Sequence, residues 1–191
     1  MMMTLSKISL VNSHVKFPQH KWERHYMVPF TKNKGLPKEL EHWQPTVDSM
    51  LENIESKGII YFMADQGMVS SKSPQRRGGL HIDGVWTSVG HTGWKTRHRF
   101  MGHNTHLHSS EEDQLLILAS DVTASAGYVG DWNGIANKGG DCSHLKTNDF
   151  DSIPLEAGKV WAGSALNTLH EALTTNFPMQ RTVVRLNVCL N

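Results

Sequence analysis

Apolar residues follow a helical pattern in one clear stretch of the chain, residues 37–57, where they recur at three- and four-residue steps. Pro37 is suited to the first turn of a helix, and Gly58 is suited to its C-terminal cap. The pattern predicts an amphipathic helix that braces one face of a sheet. Its apolar positions are Leu40, Trp43, Val47, Met50, Leu51 and Ile54.

Most of the remaining apolar residues form short runs or alternate with polar residues, which is typical of β-strands. The predicted strands are 59–63, 79–86, 115–119, 126–132 and 181–188, with a polar loop from Asp65 to Arg77. Short strands, one helix and 16 glycines describe a mainly β chain with an N-terminal helix, and specifically a jelly roll, the double-stranded β-helix of cupin-like proteins. We expect one domain, with residues 1–57 as an N-terminal extension and residues 58–191 as the jelly-roll core.

Composition and charge narrow the possible functions. The formal net charge of the 191 residues is +1, so no global electrostatic attraction to nucleic acid or to a membrane is predicted. Cys142 and Cys189 are the only cysteines, too few for a disulfide framework, and we expect them to be reduced thiols. No apolar run approaches the ~20 residues that span a bilayer, and residues 1–15 lack the apolar core of a secretory signal. We therefore expect a cytoplasmic protein of undetermined oligomeric state.

The triplet His81-Ile82-Asp83 is the first candidate for chemistry. On a strand, residues two apart point to the same face, so His81 and Asp83 could converge on one ion. His170 offers a second imidazole far downstream. Two imidazoles and one carboxylate retain Fe(II) while leaving coordination positions open for substrate and O₂. Because the chain contains 12 histidines, a lone triplet of this kind also arises by chance, so the hypothesis depends on the distal half of the chain.

Two arginines strengthen the hypothesis. Arg181 follows His170 by 11 positions, and Arg185 lies four residues further along the same predicted strand, so both arginines share one face. A planar guanidinium can bind a carboxylate through two parallel hydrogen bonds, which suits a dicarboxylate cosubstrate. Exposed arginines on an edge strand are the alternative explanation.

Four positions together resemble the Fe(II)/2-oxoglutarate-dependent dioxygenase superfamily: an HxD triplet, a distal histidine and an arginine about ten residues later on the last core strand. The resemblance covers roughly residues 58–188. It implies that Arg181 binds the distal carboxylate of 2-oxoglutarate, with Arg185 as the alternative because members differ in this spacing. If Arg181 binds the cosubstrate, Arg185 could reach an anionic substrate. The implied iron ligands, and hence catalytic residues, are His81, Asp83 and His170.

The resemblance also implies the reaction, which consumes O₂ and 2-oxoglutarate and releases succinate and CO₂. An intact Asp83 favours hydroxylation or oxidative demethylation over halogenation, in which relatives have a small residue in place of the carboxylate. The substrate, a small molecule or a side chain, is not identified, because one fold can act on many substrate classes. Four further residues could hydrogen-bond near the pocket, although ordinary core or sheet positions explain them equally well: Tyr61, Tyr128, Asn167 and Thr168.

The stretch from residue 91 to residue 108 is rich in histidine and basic residues. Four of its side chains could form a substrate-facing loop that favours an anionic or aromatic substrate, namely Trp94, Lys95, Arg97 and Arg99. Basic residues interleaved with tryptophan can also bind single-stranded nucleic acid, so that partner is not excluded. Two other interpretations are a solvated basic loop and a zinc site built from His103, His106 and His108.

Two alternatives of a different class remain open. A cupin-type protein would use a metal for binding or for chemistry without a cosubstrate, although cupins usually draw their ligands from an HxH-plus-Glu set. A non-enzymatic jelly-roll domain would bind a partner, and the potential ligands would then be coincidental. The metal content of anaerobically purified protein separates the second alternative from both enzymes. Release of succinate from 2-oxoglutarate separates the oxygenase from the cupin.

Overall fold

The computed structural model describes residues 3–83 and 114–189, and within these ranges the chain is mainly β, with two antiparallel sheets and one short α-helix, α1 (Gln44–Leu51). This arrangement is compatible with a jelly-roll sandwich. The strands are β1 (Thr4–Ser6), β2 (Ile8–Asn12), β3 (Arg24–Phe30), β4 (Ile60–Val69), β5 (Gln114–Ser120), β6 (Ser125–Trp132), β7 (Asp151–Pro154), β8 (Val160–Ser164), β9 (His170–Ala172) and β10 (Met179–Cys189).

The larger sheet has six strands in the order β2-β8-β5-β10-β4-β3. The long strand β10 lies inside it and pairs antiparallel with β4 and β5. Because side chains alternate along a strand, β10 has two different faces. Val184, Leu186 and Val188 pack into the core that contains α1. Arg181 and Arg185 occupy the alternate positions and therefore lie on the opposite face of the sheet.

The smaller sheet is built around β6, which pairs with β1 and β7 on opposite edges and also with β9. The two sheets approach closely where Gly127 of β6 lies against Ile8 of β2. A Cβ atom at Gly127 would come within 2.5 Å of the Ile8 side chain, so this contact requires glycine. A second core forms on β6, and Leu80 and Ile82, the neighbours of His81, are buried in it.

The helical region is shorter than the apolar pattern predicts. Lys38–Trp43 form a 3₁₀ helix, and α1 follows it with Pro45 in its first turn. The helix ends at Leu51, because the Lys32 ammonium hydrogen-bonds the backbone oxygens of Leu51 and Ile54 at 3.0 and 2.7 Å and replaces the next helical turn. Gly58 is therefore not the cap. The predicted apolar stripe is otherwise confirmed, since its members from residue 40 to residue 51 are buried.

The polar loop predicted from Asp65 begins later, because β4 continues to Val69. Polar residues are tolerated in this strand because each has partners. The Asp65 carboxylate pairs with Arg24 and Arg76, and the Gln66 side-chain oxygen accepts hydrogen bonds from the backbone N–H groups of residues 21 and 23. Among the described residues, no helix has the length and apolar character needed to cross a bilayer.

Candidate metal centre

His81 and His170 are brought together by backbone pairing. The backbone N–H of each residue donates to the carbonyl oxygen of the other, both at 3.0 Å, and β9 is held on β6 at the same point. The two residues therefore lie side by side, with ring centroids 4.4 Å apart. Asp83 follows two residues after His81. One potential ligand atom from each of the three side chains lies within 4.8 Å of the others.

Hydrogen bonds to backbone carbonyls orient both imidazoles. His81 Nδ1 lies 2.7 Å from the Gly79 oxygen, and His170 Nδ1 lies 3.0 Å from the Thr168 oxygen. A carbonyl oxygen only accepts, so each Nδ1 carries the proton, and in a neutral ring Nε2 has a free lone pair. Both Nε2 atoms face Asp83, at 4.0 Å for His81 and 3.3 Å for His170. Metal-bound histidines usually make such a hydrogen bond through the second ring nitrogen.

Burial keeps the centre in the ionisation state that metal binding requires. Desolvation, supported by the neighbouring His170, lowers the pKa of His81 to about 4, so its ring is neutral near pH 7. Desolvation raises the pKa of the Asp83 carboxyl, but the Arg185 guanidinium outweighs desolvation and holds that pKa well below its ordinary value. The centre thus offers neutral imidazole and ionised carboxylate together, as a metal ligand set needs.

Arg185 contacts the centre directly. Its Nη1 donates to Asp83 Oδ2, and its Nη2 lies 2.7 Å from the sulfur of Met63 on β4. The side chains of Arg185 and Asp83 are only 11% and 17% exposed, so each charge is balanced mainly by the other. Arg185 is therefore engaged with the carboxylate and is not a free anion receptor.

Arg181 has a different environment although it lies on the same face of β10. Its Nε donates to Ser120 Oγ at 3.0 Å, and its Nη2 donates to Ser125 Oγ at 2.7 Å. The residue is 1% exposed, and Nη1 has no hydrogen-bond partner among the described residues. Burial lowers the pKa of Arg181 to about 10, which leaves it charged at neutral pH. This guanidinium has a buried donor available.

The arrangement could hold a metal ion. Three protein donors from one side leave the remaining coordination positions of a six-coordinate ion open, and the mixture of imidazole and carboxylate suits Fe(II). The buried and oriented ligands would reduce the reorganisation that accompanies binding. A buried arginine with an unsatisfied donor adds a place for an anionic group.

The residues singled out from the sequence have different outcomes. His81, Asp83, His170 and Arg185 form one contiguous group, and Arg181 lies on the same sheet face. Trp94, Lys95, Arg97, Arg99 and the histidines from residue 91 to residue 108 lie outside the described residues, so their roles stay predictions. The prediction of a strand over 79–86 is wrong for its described part, residues 79–83, where His81 forms isolated bridges with Asp141 and His170 in place of a continuous ladder.

Sequence reasoning missed three polar residues near the arginines. Ser120 and Ser125 end β5 and begin β6, where serine is unremarkable in the sequence, and only the fold brings them to Arg181. Asn187 looks like an ordinary strand position, but its alternation with Arg185 places it on the same face. The Tyr128 hydroxyl donates a hydrogen bond to the Glu171 carboxylate.

Comparisons with known proteins give little beyond this geometry. No family model and no curated protein matches the chain. Among solved structures, an apo form of the non-haem monooxygenase ThoJ is similar over 79% of this chain, with 10% sequence identity and a TM-score of 0.39. The match covers 54% of that protein, so this chain spans about half its length.

Proposed function

We propose that this protein is a non-haem Fe(II)- and 2-oxoglutarate-dependent dioxygenase that hydroxylates, or oxidatively demethylates, a small-molecule or side-chain substrate. The observation that carries the proposal is the convergence of His81, Asp83 and His170 within 4.8 Å, with both imidazoles oriented by backbone carbonyls. Two imidazole lone pairs and a carboxylate directed at one point attract a further cation beside the Arg185 guanidinium that already pairs with Asp83. A divalent metal is the natural occupant.

The donor set supports iron. His81, His170 and Asp83 would hold the metal through two nitrogens and one oxygen, the combination typical of non-haem Fe(II) oxygenases. Zinc in a closed structural site would call for four ligands, and the group found here among the described residues has three. Arg185 would hold one oxygen of Asp83 and so fix the orientation of the carboxylate.

Arg181 supports the cosubstrate assignment better than Arg185 does. The orphaned Nη1 of Arg181 could bind the distal carboxylate of 2-oxoglutarate, and Ser120 and Ser125 would keep the guanidinium plane fixed. The charge of Arg185 is already balanced by Asp83. Under this proposal, Arg181 binds the cosubstrate and Arg185 positions the Asp83 carboxylate.

When bound, iron and 2-oxoglutarate supply the oxidising chemistry that places oxygen from O₂ into a C–H bond, with release of succinate and CO₂. The chain itself binds and orients. His81 is neutral and Asp83 is ionised near pH 7, so neither has to lose a proton there when a metal binds. Leu80 and Ile82, packed into the smaller sheet, fix the backbone from which His81 and Asp83 project.

The test is iron-dependent conversion of isotopically labelled 2-oxoglutarate to succinate by protein purified without oxygen. Wild-type protein should bind one Fe(II) and release succinate slowly even without substrate, whereas His170→Ala and Asp83→Gly should do neither. The exposed residue His14 provides the matched control, and His14→Ala should behave as wild type. Iron binding without succinate release would favour a cupin-type protein, and no iron binding would favour a non-enzymatic binding domain.

A further inference from the structure

Two polar side chains lie beside Arg185 without hydrogen-bond partners. Tyr61 of β4 and Asn187 of β10 are opposite each other in the sheet register, and they are only 6% and 5% exposed. The Tyr61 hydroxyl and both polar atoms of the Asn187 carboxamide have no hydrogen-bond partner in the part of the chain that the structure describes. Buried polar groups are almost always bonded, so two adjacent exceptions need a physical reason.

The position of the pair relates it to the candidate metal centre. Asn187 follows Arg185 by two residues on the same face of β10, and Tyr61 precedes Met63 by two residues on β4, a step of roughly 7 Å along each strand. Arg185 bonds to Asp83 and contacts Met63. The pair is therefore one side-chain position away from the residue that touches the metal-ligand carboxylate.

The surroundings of the pair are apolar. Met27 and Met63 pack against Tyr61, and fully buried Leu116 lies opposite Asn187 on β5. A polar group that entered this region would lose its water, and among the described residues it could recover hydrogen bonds from Tyr61, Asn187 and the unpartnered Nε of Arg185. A ligand whose donors and acceptors match these atoms should therefore bind more tightly than one that leaves them without partners.

The available atoms define the chemistry of that ligand. The Asn187 carboxamide both donates and accepts, and burial raises the pKa of Tyr61, so its hydroxyl keeps its proton. Arg185 is neutralised by Asp83, so an anion would find no free counter-charge beside the pair in the described part of the chain and would meet the Asn187 oxygen. A ketone would leave that oxygen unbonded. A neutral group that donates and accepts side by side fits best, and a carboxamide has this arrangement.

We propose that Tyr61 and Asn187 form a substrate subsite beside the metal centre and bind a carboxamide group of the substrate. This inference rests on the proposed function, because it treats the neighbouring centre as catalytic. It narrows the substrate class to compounds in which the oxidised carbon lies a few bonds from an amide.

The test compares three molecules of nearly the same shape: isobutyramide, isobutyrate and 3-methyl-2-butanone. Saturation-transfer NMR on metal-free protein should show isobutyramide binding roughly five- to tenfold more tightly than the other two, since it alone completes both hydrogen bonds. Asn187→Leu should abolish this preference and Tyr61→Phe should weaken it. Tyr128→Phe removes a hydroxyl that is already bonded to Glu171 and should leave the preference unchanged.

Thermal unfolding provides a second measurement. Because Asn187→Leu and Tyr61→Phe replace unbonded polar groups by apolar groups of similar shape, neither melting temperature should fall below that of the wild type. A clear fall in both would show that water already satisfies the pair, and this would overturn the proposal. If Asn187→Leu does not fold, Tyr61→Phe still decides the question.

Manganese separates failure of the subsite from failure of the centre. In Mn²⁺-loaded protein, the methyl protons of isobutyramide should be broadened by the nearby paramagnetic ion. Amide binding without broadening would place the amide elsewhere, and equal binding of all three molecules would also overturn the subsite. A protein that does not bind Mn²⁺ would contradict the metal centre instead, while the metal-free titration would still report on Tyr61 and Asn187.

Discussion

The two faces of β10 differ in how completely their groups are satisfied. On the face toward α1, Val184, Leu186 and Val188 are fully buried among apolar neighbours. On the other face, Arg181 and Asn187 are almost as deeply buried, yet both keep polar atoms without hydrogen-bond partners among the described residues. From Val184 to Val188, one face of the strand is apolar, whereas the other face has polar atoms without partners among the described residues.

The two faces contribute differently to the stability of the fold. Each buried apolar side chain contributes about 1.5–3 kcal/mol to folding, whereas each buried unsatisfied polar group costs about 1–3 kcal/mol. A face that served only stability would contain no such groups. Arg181 and Asn187 share this face with Arg185, the partner of Asp83, and a ligand on the face could supply the missing hydrogen-bond partners.

The largest effect is expected from the metal ligands themselves. Loss of an outer-shell partner typically costs 10–100-fold in metal affinity, so His81→Ala, Asp83→Ala and His170→Ala should each lower Fe(II) affinity by at least about 100-fold. Asp83→Ala should also lower the free energy of unfolding by about 3–5 kcal/mol, because it leaves the Arg185 charge buried and unpaired. Anaerobic dialysis and urea denaturation provide the two measurements. If all three variants bound Fe(II) with wild-type affinity, the assignment of these residues as metal ligands would be wrong.

A change on the apolar face should act on stability alone. Leu186→Ala should lower the free energy of unfolding by about 2–5 kcal/mol, because Leu186 is fully buried and its neighbours cannot collapse into the space. The Fe(II) affinity of the folded variant should match that of the wild type. Urea denaturation and iron titration of the same preparation test this, and a joint loss of both properties would show that the two faces are not independent.

The apolar pattern predicted the helix-facing side of the fold well. Alternation along residues 181–188 gave a strand, and the described strand extends it by only two residues at the start and one at the end. The helix was overestimated because periodicity cannot show that Lys32, far away in the sequence, binds the carbonyls at its end. The extent of β4 was underestimated for a similar reason, since the partners of Asp65 and Gln66 become visible only after folding.

The candidate site was predictable where spacing within one strand determines the geometry. The shared face of Arg181 and Arg185 on β10 needed no tertiary information. His81 and Asp83 lie outside the strands of the described residues, and the bridges of His81 with Asp141 and His170 position that segment instead. The contact of Arg185 with Asp83, the serines at Arg181 and the unpartnered Tyr61–Asn187 pair arise between strands that are distant in sequence. They depend on register, which the residue pattern of a single strand does not encode.

Arg181 and Arg185 lie on the same polar face of β10, and we expect their substitutions to have different effects. Arg181→Ala should raise the 2-oxoglutarate concentration needed for succinate release some 30- to 1,000-fold, because a charge-assisted bidentate contact is worth on the order of 2–4 kcal/mol. Arg185→Ala should affect this requirement less and should instead weaken iron binding, since it removes the partner of Asp83. Succinate formation and iron dialysis separate the two roles. The reverse ranking would move cosubstrate binding to Arg185.

The smallest effect is expected from the Glu23 carboxylate, whose hydrogen bonds form a polar network beside the apolar face of β10. Burial raises the pKa of Glu23, but hydrogen bonds from His25, Trp43 and His42 outweigh it and lower the pKa to about 2. A carboxyl whose pKa is lower in the folded state stabilises the protein above its unfolded pKa, and this stabilisation disappears as the pH falls through the folded pKa. Glu23 should therefore contribute on the order of 1 kcal/mol to the free energy of unfolding above pH ~5, allowing for solvent screening, and this contribution should disappear between pH ~5 and ~2.

In urea denaturation, the difference in unfolding free energy between wild type and Glu23→Gln should shrink across this pH window. A difference that stays constant with pH would show that the hydrogen bonds from His25, Trp43 and His42 do not stabilise the ionised Glu23 carboxylate in the folded protein.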